Sequence, residues 1–186
     1  IPEDSGACFV VIQHLAPDHE SIMDQLLGSY SHINVAKIED GATPKPDTVY
    51  VIPPGPSATL KDGVFHLHER DDSALRTPID KFFESVAKAC GRDAVCVVLS
   101  GTGSDGTAGL RAVKEAGGMV LVQSEASARF DGMPRAAIGT GLADFVLPVD
   151  EMPEKLMGFA DHPYVSTPAQ SSPLLLDEDR LTRIFA

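Results

Sequence analysis

Asp105 lies inside a glycine-rich turn, Gly101-Thr-Gly-Ser-Asp-Gly106, between a valine-rich apolar run and an amphipathic stretch. A carboxylate there limits the chemistry the turn can do. A turn made to cradle a phosphate relies on backbone N–H groups and a helix dipole, and a fixed negative charge competes for both. A turn made to orient an imidazole would want that charge. The histidine that suits it is His14, at the end of the apolar run Cys8-Phe-Val-Val-Ile-Gln13. An imidazole held by a carboxylate keeps one tautomer and can take the proton of a hydroxyl as it attacks a carbonyl. Backbone N–H groups of the turn could donate to the oxyanion that forms.

Two other readings stand beside this one. Gly101-x-Gly103-x-x-Gly106 matches the literal dinucleotide fingerprint, with Glu125 about 20 residues on, where a ribose-binding acid belongs. Asp105 and the mid-chain position of the unit weigh against it. The plainest reading is that His14 is a satisfied histidine at a strand end and Asp105 only caps a helix.

The elements that must position these residues follow from the pattern. Residues 8–14 are apolar without alternation, which suits a strand covered on both faces. Asp18 can cap a helix through about Tyr30, with Ile22, Met23, Leu26 and Leu27 on one face. Residues 33–39 and 48–53 read as strands, and residues 58–68 as a hairpin turning at Asp62-Gly63. Residues 69–77 read as a charged loop, and Pro78 opens a helix to about Cys90 with Phe82, Phe83, Val86 and Ala87 on its apolar side. Strand and helix then alternate: a strand at 94–100, a helix ended by Gly117-Gly118, a strand at 119–123, a helix from Pro134, a strand at 144–147 and a helix at 153–159. The expected fold is α/β: a doubly wound, mostly parallel, Rossmann-like sheet with helices on both faces, plus a small β-hairpin. His14 and Asp105 would both fall at carboxyl ends of parallel strands, the rim where such sheets place their chemistry.

Composition narrows the function classes. With 186 residues, 43% of them hydrophobic and 23% charged, the chain can bury a real core. A formal charge of −12 argues against nucleic acid, which calls for a basic face. No apolar run approaches a membrane span, and no signal peptide is visible, so no membrane insertion is expected and the location read is cytoplasmic. Cys8, Cys90 and Cys96 read as reduced thiols, with Cys8 and Cys96 buried in their strands. They have no His or Cys at ligand spacing, so neither a metal nor a cofactor site is expected.

Four motifs in order go further. Val10-Val-Ile-Gln-His14-Leu-Ala-Pro17, Arg76-Thr-Pro-Ile-Asp80, Ser100-Gly-Thr-Gly-Ser-Asp105-Gly106 and Phe130-Asp-Gly-Met-Pro134 resemble the catalytic domain of chemotaxis protein-glutamate methylesterases (CheB). The likeness runs from about residue 7 to residue 159. It implies a Ser-His-Asp triad that hydrolyses glutamate γ-methyl esters on the cytoplasmic helices of methylated chemoreceptors, and in many members also deamidates glutamine. Carried over by motif, His14 would be the general base, Asp105 its orienting carboxylate, and the backbone N–H of Thr102 an oxyanion donor. The family often has Met where Thr102 stands, a change that leaves the backbone donor intact.

The sequence departs from the family in one respect. The family's serine lies in a Gly-x-Ser-x-Gly-Gly turn after its first strand, ahead of the strand that holds His14. No such turn occurs here, so the nucleophile is expected upstream of this chain. Ser5 follows no apolar strand, Ser100 and Ser104 lie too near Asp105 to stand across His14 from it, and Ser124 is no better placed. The segment at 1–160 reads as a catalytic domain lacking its first strand and serine turn. Residues 161–186 read as a Pro/Ser linker and the start of a following domain, and resemble the junction with a fused CheR-type methyltransferase. A non-catalytic docking module is the remaining alternative.

Overall fold

The computed structural model describes residues 2–13, 22–69 and 77–160. The chain runs β1 (Cys8–Val11), α1 (Met23–Tyr30), β2 (Asn34–Lys37), β3 (Thr48–Val51), β4 (Ser57–Lys61), β5 (Val64–His68) and α2 (Pro78–Cys90). It continues through β6 (Val95–Val98), α3 (Thr107–Glu115), β7 (Met119–Gln123), α4 (Gly132–Gly139), β8 (Phe145–Leu147) and α5 (Met152–Ala160). Each expected strand and helix is present: β1, β2 and β6 are three residues shorter than expected, β3 and β8 one or two, while α2 and β7 keep their expected bounds and α5 runs slightly longer. Residues 14–21, 70–76 and 161–186 lie outside the described residues, and with them the Asp18 cap and the tail expected to open another domain.

The expected parallel sheet comes as two three-stranded parallel sheets, ordered β1-β3-β2 and β6-β7-β8, with β4 and β5 as a separate antiparallel hairpin. Asp62 and Gly63 both adopt positive φ, 52° and 76°, as a two-residue hairpin turn demands. β7 is the middle strand of its sheet and every one of its residues is buried. β1 and β6 are different. Among the described residues β1 pairs only with β3, and β6 only with β7, so each leaves one edge bare. β1 is wholly apolar in sequence, yet none of its four residues is buried.

That bare edge corrects one expectation. Cys8 was expected buried and is exposed, Cys90 is half-buried, and only Cys96 is buried. Partial burial still pushes the Cys8 thiol up to about 11, with the nearby Cys90 adding to the rise. Burial also raises Cys90, helped by Asp93, and raises Cys96 most of all.

The helices bind the sheets into one core. Phe82, Phe83 and Ala87 of α2 join Leu110 and Val113 of α3, Tyr50 of β3, Phe65 of β5, Cys96 and Val98 of β6, and Val120 and Val122 of β7, with Val10 of β1 packed against them. α1 does not share in this. It packs on β2, buries no residue, and leaves Ile22 at 63% and Leu26 at 46% exposure. The apolar face expected over 22–27 is thus present in sequence but only partly covered in space: Met23 and Leu27 are half-buried, and Ile22 and Leu26 are exposed.

Candidate active site

The turn after β6 carries Asp105, and its carboxylate does not cap the helix that follows it. It reaches sideways to α2. The backbone N–H of Ile79 donates to Oδ2 and that of Asp80 to Oδ1, each at 3.1 Å. These are two of the amino-terminal N–H groups that a helix cannot satisfy internally. The N-cap residue Thr77 makes no side-chain cap, so Asp105 takes that role from a distance. An ionised carboxylate has about four lone-pair sites. The two α2 amides use one on each oxygen.

α3 is capped in return. The carboxylate of Asp80, buried at 8% exposure, accepts the backbone N–H of Gly109 in the first turn of α3 at 2.8 Å. The two helices can come this close because residue 109 has no side chain: a Cβ there would lie 2.6 Å from the Phe83 Cβ.

The other half of the turn is held by different residues. The Ser100 N–H donates to Gln123 Oε1 at 2.7 Å, and Gln123 Nε2 donates to the Ser127 carbonyl at 3.0 Å. Gly101 donates its N–H to the Phe130 carbonyl and accepts from the Met133 N–H, both at 2.9 Å. Ser100 Oγ accepts the Phe130 N–H at 3.0 Å. A Cβ on Gly132 would meet Gly103 N at 3.2 Å and Gly101 O at 3.3 Å, so glycine lets α4 press against the turn. Thr102 sits between these anchors, exposed, and among the described residues its N–H meets no acceptor. Gly103 and Gly106 have φ of 92° and 98°, a region glycine reaches without strain. A donor fixed before charge develops is the arrangement that stabilises an oxyanion.

His14 lies outside the described residues; Gln13 before it follows β1 and lines a groove of about 1030 Å³. The same groove is lined by Thr77 and Pro78, next to the amides that hold Asp105, and extends to Lys88 and Ala89 along α2. The candidate serines among the described residues are engaged elsewhere. Ser5 precedes β1, at the strand's other end from Gln13, and donates to Asp47 Oδ1 at 3.2 Å. Ser124 Oγ pairs with Ser127 Oγ at 2.9 Å, and Ser104 gives its carbonyl to Thr107. Glu125, the candidate ribose ligand, instead accepts from Arg135 Nε at 3.1 Å, and with Asp131 it raises the guanidinium pKa.

Sequence reasoning missed two residues of this site. Asp80 was seen only as part of a motif, and Gln123 only as the end of a strand. A polar residue ending a buried apolar run was the available signal for Gln123. Asp80 acts between helices and left no local one.

Comparison with known proteins gives the family. The family model described as CheB methylesterase matches residues 1–156. The chain belongs to the CheB methylesterase family. A solved CheB methylesterase catalytic domain from Thermotoga maritima superposes with a TM-score of 0.77 at 33% identity, covering 85% of this chain and 86% of that one. The protein-glutamate methylesterase/protein-glutamine glutaminase 2 of Anaeromyxobacter dehalogenans is 36% identical over 157 residues, 84% of this chain and 46% of that protein. An uncharacterized 104.1 kDa protein of Rhodobacter capsulatus is 45% identical over 130 residues, 70% of this chain but 14% of its own length. The chain therefore spans less than half the length of these curated relatives. CheB membership accounts for the order of the four motifs and for the doubly wound α/β fold.

Proposed function

We propose that this chain is the catalytic domain of a protein-glutamate methylesterase, with His14 as general base, Asp105 as its orienting carboxylate and the Thr102 N–H as oxyanion donor. The attacking serine would arrive on a strand seated between β1 and β6. Serine Oγ would attack the γ-ester carbonyl of a glutamate side chain while its proton passes to His14. Collapse of the tetrahedral intermediate would break the bond to methoxide, which leaves as methanol with that proton. Water, deprotonated by His14, would then attack the acyl-enzyme and release glutamate and the free serine. With a glutamine amide in the same place, the leaving group would be ammonia. The scheme calls on no metal or organic cofactor. Methylated cytoplasmic helices of chemoreceptors are the substrate class, and a fused methyltransferase domain is a further partner. The small share of the 104.1 kDa relative that matches supports a parent protein with several domains. A cytoplasmic location accords with the absence, among the described residues, of any helix long and apolar enough to cross a membrane.

The observation that carries the reading is the Asp105 carboxylate, held in one orientation by two α2 amides in the turn after β6. The bare edges of β1 and β6 support the additional strand, because both strands pack into one core. Dinucleotide binding finds little support: carboxylates already hold the amino-terminal amides of α2 and α3 that a pyrophosphate would use.

The test is intact-mass spectrometry of the complete gene product before and after a serine-reactive phosphonate. One phosphonyl group taken up, and lost in His14→Ala, is the expected result. A folded protein that binds methylated receptor but takes up none would make the domain a docking module. Saturable NAD(P) binding would favour the oxidoreductase reading.

A further inference from the structure

We propose that Asp80 is a positioning residue for the Asp105 carboxylate, acting as the hydrogen-bond acceptor that locks α3 to α2. The proposal rests on the pairing of His14 with Asp105 set out above. Asp80 takes part in two of the three hydrogen bonds that tie α2 to α3 and the turn before it, the third being Ile79 N–H to Asp105 Oδ2. Its backbone N–H donates to Asp105 Oδ1 at 3.1 Å, and its own Oδ1 accepts the Gly109 N–H at 2.8 Å. Since Asp105 leads through Gly106 into α3, the two bonds close a ring: Asp80 to Asp105, along the chain to Gly109, and back to Asp80. Without the Gly109 bond, the turn would be held to α2 only through the Asp105 carboxylate itself, and α3 could shift beneath it. With it, the direction of the Asp105 carboxylate is set by the docking of two helices.

Burial agrees with this role. Among the described residues Asp80 is the one charged residue that is buried, and no Lys or Arg pairs with it. Its charge is compensated by the Gly109 amide and by the amino end of the helix that follows. Gly109 completes the lock, because any side chain there would run into Phe83 and the Asp80 backbone. A displacement of about 1 Å at a catalytic group can cost on the order of a hundredfold in rate.

The test follows the rate of serine phosphonylation against pH in the complete gene product. The acid limb of that profile reports the imidazole that must be neutral to act as base. Asp80→Ala is expected to slow labelling by about a hundredfold and to move the limb about one unit to lower pH, as an imidazole does when it loses its carboxylate. Asp80→Asn keeps an acceptor oxygen for Gly109 and should recover the wild-type limb, with a rate within roughly a factor of three. Asp144→Ala removes a similar carboxylate-to-amide bond, to Val120 N–H at 2.8 Å, and should lower Tm without moving the limb. Asp80→Ser, one heavy atom shorter, serves if the alanine variant does not fold. An unmoved limb in Asp80→Ala, or Asp80→Asn as impaired as Asp80→Ala, would overturn the proposal. If Asp105→Asn also leaves the limb in place, the His14–Asp105 pairing is wrong, and the role of Asp80 goes with it.

Discussion

Asp80 and Asp105 cap each other's helices: Asp105, from the turn that opens α3, accepts the first amides of α2, and Asp80, from α2, accepts an amide in the first turn of α3. Each helix amino end carries roughly half a positive charge. Exchanged carboxylates neutralise both within the same few ångströms. The site thus holds a fixed anion where an anion-binding turn would hold fixed donors.

Asp105→Asn should remove most of the activity while leaving the fold nearly intact. The amide oxygen can still accept one α2 N–H, but its NH2 faces the other, costing about 1 kcal/mol. Rate should fall by about 10⁴, as when a triad loses its orienting carboxylate. Phosphonate labelling and a thermal melt on the same sample separate the two effects.

Gly109→Ala should destabilise despite alanine's better helix propensity. Propensity gains about 1 kcal/mol. The new Cβ would lie 2.6 Å from the Phe83 Cβ and 2.9 Å from the Asp80 carbonyl oxygen, both on the packed face of α2. Overpacking of this kind costs about 1–3 kcal/mol, and more where backbone must yield. The expected net change is a Tm lower by roughly 5 °C; an unchanged or higher Tm would mean that α2 gives way freely.

Gln123→Leu strips the buried acceptor from the Ser100 N–H and the donor from the Ser127 carbonyl. A loss of about 1–3 kcal/mol is expected. Amide exchange at Ser100 should rise more than exchange at Val98 in the strand before it. Equal acceleration at both would show that Gln123 stabilises the sheet as a whole and not the turn.

The thiols give a pH signature. Cys8 is held at about 11 against an ordinary value of 9.0, so the folded state keeps it protonated more strongly than the unfolded state does. The stability it contributes is complete below pH 9.0 and is lost as pH rises toward 11. Alkylation by iodoacetamide should be slow at pH 8, because only about one part in a thousand is thiolate, and should climb steeply above pH 10. Among the three thiols Cys96 should react last. In the complete gene product Cys8 should be protected further if a strand covers the β1 edge.

Much of this fold could be read from the sequence because its strands are short valine-rich runs and its turns are glycine and proline. Phe82, Phe83 and Ala87 of α2 are buried where a 3.6-residue period puts them. Asp62-Gly63 specified its own turn. Period fails where a face has no partner: Ile22 and Leu26 lie on the same helical stripe and both stay in water. The same limit explains Cys8, since an apolar run announces a strand but not its neighbours. Asp105 stood out in the sequence because a carboxylate in a glycine turn is out of place locally. Its partners on α2 did not, because the Ile79 and Asp80 amides come near it only when two helices dock.

The bare edges of β1 and β6 also govern how this polypeptide behaves when handled alone. Among the described residues each has one edge with no paired strand, along four residues with apolar side chains on either face. Strands in that condition recruit whatever extended backbone is at hand, another molecule of the same kind included. Edges of this kind favour self-association as concentration rises, which light scattering would read directly.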